Sequence, residues 1–403
     1  MELRAADNQV AGMEANQAIE GAAIYVSNIL ATLMVSNALP SPDNFRAEGV
    51  KVGSAEFWLI GRDTNDLQTS AQGDHPVWGL VDEASKVNLN NSNMVFQNLP
   101  QMTETLGAAM EDWETTSTTP SAGGAKSETY STLNPPYNCK DAPYETTEEL
   151  RMVYNMDLDY LFGEDANLNG LLDPNENDGP LNPPTDNQDG ILDPGLLEYL
   201  TVYTKGEALY TSNGIPRMVV TSPQVGRFIQ TNFPNVASKI SQAATYTSVL
   251  QFYSINSKLT ETEFQEIEPY LMNPTTVGLI NVNTATATAL ACIPGIGVNL
   301  APQVLAYRQS NPPMTPSISW LKSALSGNSA AIDAAGPYVT GYTYQFSADV
   351  AAVGHYGRGY RRVRFVFDCS SGTPLIVYRE DLTHLGWALG KKLHDKLLAE
   401  NTQ

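Results

Sequence analysis

The residues with the clearest metal-binding pattern lie in the stretch DANLNGLLDPNE, residues 165–176. Side chains with oxygen donors stand at positions 1, 3, 5, 9 and 12 of an EF-hand-type loop, and position 7 contributes a backbone carbonyl. The predicted ligands are Asp165, Asn167, Asn169, the Leu171 carbonyl, Asp173 and Glu176. Gly170 at position 6 permits the sharp turn. Because oxygen ligands suit hard cations and Glu176 can supply two oxygens, the pattern predicts a calcium site.

A second, incomplete copy of the pattern follows at residues 185–196, TDNQDGILDPGL. Aligned on its glycine, it predicts four ligands: Asn187, Asp189, the Ile191 carbonyl and Asp193. Thr185 stands at position 1 and Leu196 at position 12, so the two carboxylates of the complete loop are missing. Asp186 or Glu198 could replace them. The sequence leaves open whether this second loop binds a metal.

Both loops belong to a strongly acidic segment. Residues 156–198 contain eleven Asp and Glu residues and no Lys or Arg. A solvated acidic loop is the simplest alternative, but spacing and glycine both favour a metal in the first loop. A calcium sensor needs helices that open around its loops. The intervening stretch PLNPPTDNQ, residues 180–188, is too rich in proline for such helices, so a structural calcium site is predicted.

The composition narrows the remaining functions. The chain has 403 residues, a formal charge of −21 and 42% hydrophobic residues, so it can bury a core but repels phosphate backbones. The four histidines are scattered, and no G-x-S-x-G, P-loop or H-E-x-x-H motif occurs, so nothing indicates catalysis. The cysteines have no zinc spacing and are predicted to be small buried residues. They are Cys139, Cys292 and Cys369.

The elements that must position these loops begin with one long helix. Residues 8–38 lack proline and carry apolar residues at helical spacing. Two strands are predicted from VKVGSAEFWLIGRD and HPVWGLVDEASKVNLN, with TNDLQTSAQGD as the loop between them. The pattern changes to helices and polar loops over 88–335, and TTEELRMV has the signature of a capped helix start. Strands return in YTYQFSADVAAV, RRVRFVFD and TPLIVY, and WALGKKLHDKLLAE predicts a final helix. This order predicts an α+β fold with a helical section inserted into an antiparallel sheet.

An internal repeat lies in the helical section. KVNLNNSNMVFQNLP at 86–100 is similar to LINVNTATATALACIP at 279–294. The second copy continues into GIGVNLAPQVLAYR, which predicts a helix–hairpin–helix with Gly295 and Gly297 in the hairpin. Such hairpins can bind nucleic acid through backbone N–H groups and flanking basic residues. Arg308 is the only basic residue from 279 to 321, so a packing role is favoured over DNA binding.

Several segments together resemble the K-type minor pseudopilins of type II secretion. The resemblance covers GLVDEASKVNLN at 79–90, the stretch from MEDWE to ELRMV at 110–153, and INVNTATATALACIPGIGVNLAPQVLAYR at 280–308. The closing strands at 344–368 and LIVYRED at 375–381 are similar as well. These segments follow the order of the family and cover most of the chain.

The resemblance implies a pilin-like long helix packed on an antiparallel sheet, with a large inserted α-helical domain containing two helix-hairpin-helix or SAM-like subdomains. It implies a subunit without enzymatic activity at the tip of a periplasmic filament, in contact with other minor pseudopilins. The expected location is the periplasmic side of the bacterial inner membrane, reached through an N-terminal anchor that is absent from this chain. The sequence contains no run of eighteen apolar residues, so it predicts no membrane span.

The resemblance and the elements together predict the domain boundaries. The soluble part of the pseudopilin helix is 1–42, the sheet comprises 43–90 and 336–385, and the tail is 386–403. The inserted domain is 88–335, and it contains a SAM-like part at 88–160, the calcium-loop insert at 157–198 and the helix-hairpin-helix at 279–325.

The predicted function is initiation or capping of a secretion pseudopilus, with structural calcium. The partner-binding face is predicted to lie on the long helix, at Ala18, Ala22, Val26 and Leu30. Two alternatives from other classes are a calcium-dependent adhesion or carbohydrate-binding module, which glycan screening would identify, and a nucleic-acid-binding hairpin protein, which the acidic charge disfavours.

Overall fold

The structure is a computed structural model, and it divides the chain into two compact units. The first unit comprises residues 1–83, 162–198 and 345–403, and the second comprises 84–161 and 199–344. The structure describes residues 2–36, 42–63, 74–206, 209–211, 214–241, 245–274, 278–313 and 316–400.

The described residues form helices of very different lengths. The first is α1 (Glu2–Ser36), which contains no proline and is rich in alanine, the residue with the highest helix propensity. The others are α2 (Glu104–Glu114), α3 (Ser127–Tyr130), α4 (Leu158–Phe162), α5 (Leu196–Tyr199), α6 (Val225–Asn232), α7 (Pro234–Ala237), α8 (Val249–Ile255), α9 (Glu261–Ile267), α10 (Ala287–Ala291), α11 (Gly297–Ser310), α12 (Leu321–Ala324), α13 (Ser329–Ala335) and α14 (Lys391–Glu400). None of the described helices is long and apolar enough to cross a membrane.

The strands in the described part of the chain form one large sheet and three short ladders. They are β1 (Val50–Val52), β2 (Ala55–Ile60), β3 (Val81–Asp82), β4 (Val87–Asn88), β5 (Leu200–Thr201), β6 (Met218–Val219), β7 (Leu271–Met272), β8 (Ile280–Asn281), β9 (Val339–Thr340), β10 (Gln345–Val353), β11 (Arg361–Asp368) and β12 (Leu375–Asp381). The large sheet is antiparallel in the order β1-β2-β10-β11-β12, and β3 also pairs with β10. The sequence therefore splits this sheet between β3 and β10, as the predicted fold class requires.

In the first unit, α1 covers one face of the large sheet. Its apolar positions pack against alternate residues of β2, β10 and β11, including Phe57, Val350 and Phe365. The connection from β10 to β11 approaches α1 so closely that a Cβ on Gly359 would lie 2.3 Å from the backbone nitrogen of Gly12. Only glycine fits there, and its φ of +67° also favours glycine.

The opposite face of the large sheet carries both an apolar cluster and a polar one. Trp58, Ile60 and Val353 pack against Leu389 and Leu397 from the C-terminal segment. Beside them, Asp349 of β10 and Arg362 and Arg364 of β11 form ion pairs. Burial alone would raise the pKa of Asp349, but the two guanidinium groups outweigh it and hold that pKa below its usual range.

The second unit is built from short helices around three two-stranded parallel ladders. These are β4 with β5, β6 with β7, and β8 with β9. The internal repeat has a shared structural basis, because the side chains of Asn88 and Asn281 each accept a hydrogen bond from the residue two positions on, at 2.8 and 3.0 Å. The two copies also touch, since the Asn98 amide donates to the Ala291 carbonyl at 2.7 Å.

Several predicted elements differ in detail. The strand predicted from VKVGSAEFWLIGRD is a hairpin, β1 and β2, that turns at Gly53 with a φ of +64°. Over 75–90 only β3 and β4 are extended, because a 3-10 turn at Glu83–Ser85 interrupts them. TTEELRMV forms a 3-10 helix, with Thr146 and Glu149 in a capping box. The predicted loop at 64–74 lies outside the described residues except for Asp74, and so do the last two residues of the predicted helix at 8–38.

The boundary predicted for the acidic segment is wrong. It placed 157–198 within the inserted helical domain, whereas 162–198 forms part of the first unit with the large sheet. Hydrogen bonds from Arg362 to the carbonyls of Asn167 and Leu168 hold this segment on the sheet. A contact between residues almost 200 positions apart leaves no periodic signal in the sequence.

Candidate metal centre

Two short pairings close the acidic segment into a compact excursion. Gly163 forms a β-bridge with Pro194, and the N–H of Gly195 donates to the carbonyl of Phe162 at 2.9 Å. The N–H of Glu164 also donates to the carbonyl of Asp193, at 2.9 Å. The start of the first loop (165–176) therefore lies close to the end of the second loop (185–196).

The first loop has the backbone that its spacing predicts. Asp165 accepts hydrogen bonds from the N–H groups of Asn169 and Gly170 at 3.0 and 2.9 Å. Asn169 in turn accepts from the N–H of Leu171 at 2.7 Å. Leu168 and Gly170 both have positive φ, 55° and 72°. The protein therefore organises the turn through its own hydrogen bonds.

Oxygen atoms are left unsatisfied inside this turn. Asp165 is 4% exposed and Glu176 only 1%. Asn167 Oδ1 and Glu176 Oε1 are buried and have no hydrogen-bond partner among the described residues. Burying such acceptor atoms without a partner is costly, and a bound cation is one partner that would satisfy both.

Electrostatics support the same conclusion. Burial raises the pKa of Asp165 well above its usual range, although hydrogen bonds from Gly170 and Asn169 partly offset this. Burial likewise raises the pKa of Glu176, and the neighbouring charge of Asp165 raises it further. A divalent cation would neutralise two such buried carboxyl groups.

The residues present fit calcium better than a transition metal. Among the described residues, no group of three or more His, Cys, Asp or Glu side chains is placed to hold a metal ion. Asp165, Asp173 and Glu176 therefore do not form such a group by themselves. The ligands predicted for the first loop are all oxygen donors and include no His or Cys, which is the donor chemistry of calcium and not of a transition metal. Asp173 lies at the centre of this set, because its Oδ2 accepts hydrogen bonds from the amides of Asn167 and Asn169 at 2.8 and 3.0 Å.

The second loop repeats the turn but not the burial. Gln188 and Gly190 have φ values of 59° and 79°, which match the corresponding positions of the first loop. Asn187 accepts from the N–H of Asp189, and Asp189 accepts from the N–H of Ile191, both at 2.8 Å. Asn187 and Asp189 are nevertheless exposed, and Ile191 and Asp193 are half-buried.

Glu164 completes this second turn in a way that the sequence analysis missed. Its carboxylate accepts from the N–H groups of Asn187 and Asp193, at 2.9 and 3.1 Å. Glu176 has the same relation to the first loop, where the N–H of Asp173 donates to it at 2.9 Å. Burial raises the pKa of Glu164, and the charges of Asp193 and Asp189 raise it too. Glu164 precedes the loop by over twenty residues, so no loop pattern includes it.

The two acidic residues suggested to complete the second loop serve other contacts. Asp186 accepts hydrogen bonds from the N–H groups of Asp178, Gly179 and Gln188, at 2.8, 2.7 and 2.9 Å. Glu198 forms an ion pair with Arg62. Glu164 is therefore the best-placed carboxylate for the second loop.

The predicted partner face on α1 is wrong. Its members lie in the core against the large sheet, each 0% exposed, so no partner can reach them; they are Ala18, Ala22, Val26 and Leu30. The apolar spacing that suggested a partner arises because α1 packs on its own sheet. Among the residues of α1 whose burial the structure describes, 5–32, the large apolar residues that are exposed are Val10, Met13 and Ile24, with exposures of 48%, 64% and 66%. We call these three residues the outer stripe of α1.

The helix-hairpin-helix forms in the second unit from α10, α11 and the turn between them. Gly295 is required by packing, because a Cβ there would lie 2.6 Å from the Cβ of Ala334. Arg308 is 4% exposed and donates to the carbonyls of Val282 and Ala285, at 2.9 and 2.7 Å. The one basic residue of this segment is thus a structural donor, which agrees with a packing role for the hairpin. The predicted burial of all three cysteines is confirmed.

Comparison with known protein families identifies two segments. Residues 82–161 match the family described as type II secretion system (T2SS), protein K. Residues 276–318 match the helix-hairpin-helix motif. The resemblance drawn from residues 79–90 and 110–153 is thereby confirmed, and so is the hairpin predicted from the second repeat. The family is a structural component of a secretion system.

Solved structures include a similar chain, whereas curated protein sequences do not. The chain is similar to a chain in the crystal structure of the GspK-GspI-GspJ complex from the enterotoxigenic Escherichia coli type 2 secretion system. The identity is 10%, the TM-score is 0.46, and the alignment covers 92% of this chain and 97% of that one. No curated protein sequence matches this chain.

Proposed function

We propose that this chain is a minor pseudopilin of a type II secretion system that initiates or caps the pseudopilus at its tip. The observation that carries the proposal is the match of residues 82–161 to the protein K family. The first unit supports it independently, because one long helix packed on an antiparallel sheet is the arrangement expected of a pilin-like subunit. The role is assembly, without a catalytic step.

The size of the insertion favours a terminal position. Residues 84–161 and 199–344 are inserted into the sheet-bearing unit and form a compact unit of their own. Each subunit in a helical filament must present the same two complementary surfaces, one above and one below, to continue the assembly. A subunit with such an insertion breaks that equivalence, so it can start or cap a filament more readily than it can repeat within one.

The proposed partners are other minor pseudopilins, in a hetero-oligomeric tip complex. The outer stripe of α1 is the surface proposed to meet them, since it presents three large apolar side chains on the helix face opposite the sheet. The working location is the periplasmic side of the inner membrane. A basic leader and about 20 apolar residues immediately upstream of this chain would support that anchor.

A binding assay tests the partner role. Met13→Asp and Ile24→Asp each place a charge on the outer stripe without entering the core, so we expect both to reduce co-purification of partner pseudopilins at least tenfold. Asn16→Asp is the matched control, because Asn16 is exposed on the same helix but lies off the stripe. Full complex formation by both stripe variants would contradict the proposed surface. Failure of the unaltered chain to bind any minor pseudopilin would contradict the proposed function.

We further propose that the first loop holds a structural Ca²⁺ ion. The residues that would hold it are Asp165, Asn167, Asn169, the Leu171 carbonyl, Asp173 and Glu176. A bound cation would satisfy the buried oxygens of Asn167 and Glu176 and neutralise the paired carboxylates. Calcium supplies no chemistry here beyond charge and coordination, and it would stabilise the first unit. The second loop would be a weaker site, with Glu164 in place of a twelfth-position ligand.

A further inference from the structure

Arg362 links the first loop to the large sheet. Its side chain is fully buried on β11, at 0% exposure. Its Nε and Nη2 donate to the two carboxylate oxygens of Asp349 on the neighbouring β10, both at 2.8 Å. This bidentate pair fixes the plane of the guanidinium group.

The remaining donors of the same group hold the loop. Nη2 donates to the carbonyl of Leu168 at 2.8 Å, and Nη1 donates to the carbonyl of Asn167. These carbonyls belong to positions 3 and 4 of the loop. Leu168 has a φ of 55°, a conformation that a non-glycine residue adopts only when its surroundings enforce it. Arg362 therefore hydrogen-bonds to the backbone at Leu168, the left-handed non-glycine residue of the turn.

Only arginine can make all these contacts. Its planar fork carries five N–H donors, whereas the ammonium of lysine is a single point from which two carbonyls and a carboxylate cannot all be reached. If the loop left the sheet, the guanidinium group of Arg362 would lose its two hydrogen bonds to the loop carbonyls, while its pair with Asp349 would remain.

We infer that Arg362 is a positioning residue through which cation binding in the first loop stabilises the centre of the large sheet. This inference rests on the proposed calcium site and deepens it. In a linked system, a cation that binds the closed loop also stabilises whatever must open together with that loop. The loop and strands β10 and β11 then behave as one cooperative unit, and the predicted consequence is calcium-dependent protection of amides that are not part of the loop.

Hydrogen–deuterium exchange of the full chain tests this without any substitution. Exchange is followed with a chelator present and with Ca²⁺ at 100 times its dissociation constant. We expect the amides of Val350 and Val363 to slow by about 100-fold together with those of Asn169 and Gly170, because opening would release the ion. Slowing confined to residues 165–176 would overturn the inference.

Two variants sharpen the test. Arg362→Lys keeps a charge beside Asp349 but loses the fork, so we expect Ca²⁺ affinity to fall by about 10- to 100-fold and the protection of the strands to disappear. Arg364→Lys is the matched control. Arg364 lies two residues away on β11 and also donates to Asp349, at 3.1 Å, but its hydrogen bond ties it to the sheet and not to a loop carbonyl. Equal affinities for the two variants would overturn the inference.

Failure of the calcium proposal gives a different result. If titration of the unaltered chain shows no Ca²⁺ binding, the proposed site is wrong and the coupling is wrong with it. If Ca²⁺ binds but only loop amides respond, the site stands and the role of Arg362 does not. Should Arg362→Lys fail to fold, the exchange of the unaltered chain alone decides between these outcomes.

Discussion

The two acidic loops share one backbone and differ in almost everything that governs metal binding. Both place a left-handed residue at position 4 and a glycine at position 6, and in both the position 3 amide donates to the position 9 carboxylate. The first loop buries Asp165 and Glu176, whereas the second has Thr185 and Leu196 in their places. The shared positions therefore specify the turn, and the carboxylates at the two ends of the pattern determine how strongly the turn needs a cation.

Location reinforces the difference. The first loop lies on the sheet in contact with Arg362, and its unsatisfied oxygens are buried there. The ligands predicted for the second loop are exposed or half-buried, so water can solvate them. A carboxylate that water can reach loses little when no ion is present, whereas a buried one loses much. We therefore expect calcium to matter for stability chiefly through the first loop.

The largest expected effect is that of calcium removal. A chelator should lower the melting temperature of the unaltered chain by about 5–15 °C, if the free ion was far above its dissociation constant. Glu176→Gln should abolish most of this difference, because it removes the buried bidentate ligand. The control Asp189→Asn makes the same type of change in the exposed second loop and should preserve the response. Scanning calorimetry with and without Ca²⁺ measures all three, and an unchanged response in Glu176→Gln would contradict the contrast between the loops.

A smaller effect is expected at Glu164. Glu164→Gln keeps one acceptor oxygen but loses the charge that both N–H groups of the second loop share, so the cost should be about 1–3 kcal/mol. Chemical denaturation measures it. The calcium response of the first loop should survive, which separates the two sites. A loss of all calcium binding in this variant would show that the loops form a single site.

How much of this was predictable from sequence depends on the distance between the residues involved. The first loop, the long helix, the closing strands and the helix-hairpin-helix follow from local patterns, although the long helix begins at Glu2 and not at residue 8. Glu164 and Arg362 were missed because each acts on residues that lie more than twenty positions away. The partner face on α1 was wrong because apolar spacing on a helix shows only that one side is covered, not by what. The outer stripe gives a weaker pattern, since Val10 and Met13 stand three residues apart but Ile24 follows only after the polar positions Gln17 and Glu20 on the same face.

A third prediction concerns the carboxylate that is missing from position 1 of the second loop. Thr185→Asp restores the carboxylate at position 1, so with Glu164 already in place we expect Ca²⁺ affinity of the second loop to rise about tenfold. Without the ion, the additional charge should cost a few tenths of a kcal/mol, since Thr185 is exposed. Calcium titration of Thr185→Asp in the Glu176→Gln background isolates the second loop. No gain in affinity would show that position 1 does not limit this loop.

The smallest effect concerns two carboxylates of α1 that are paired with cationic side chains of the chain itself. Asp7 and Glu14 of α1 contact the ring of His355 at 3.0 and 2.7 Å, and Arg358 also pairs with Asp7. The Glu14 contact first, and the Asp7 contact second, raise the pKa of His355 above its usual value. Stability from this cluster is therefore complete below the unfolded pKa of about 6.5 and is lost as pH rises through the folded pKa. At partly exposed positions the effect should be about 1 kcal/mol or less.

His355→Gln tests this cluster. The difference in stability between the unaltered chain and the variant should shrink from pH 6 to pH 9 and should be the same with and without calcium. Thermal melts across this pH range measure it. A difference that does not change with pH would show that His355 acts through packing alone. A difference that depends on calcium would mean that the two charged clusters are coupled.

The most direct measurement is calorimetric titration of the calcium-free chain with Ca²⁺, repeated on Glu176→Gln and Asp189→Asn. We predict one dominant binding event in the unaltered chain, kept in Asp189→Asn and lost in Glu176→Gln. That result would establish the first loop as the structural calcium site of the first unit. Absence of any binding heat in a folded chain, or a dominant event that survives Glu176→Gln, would contradict it.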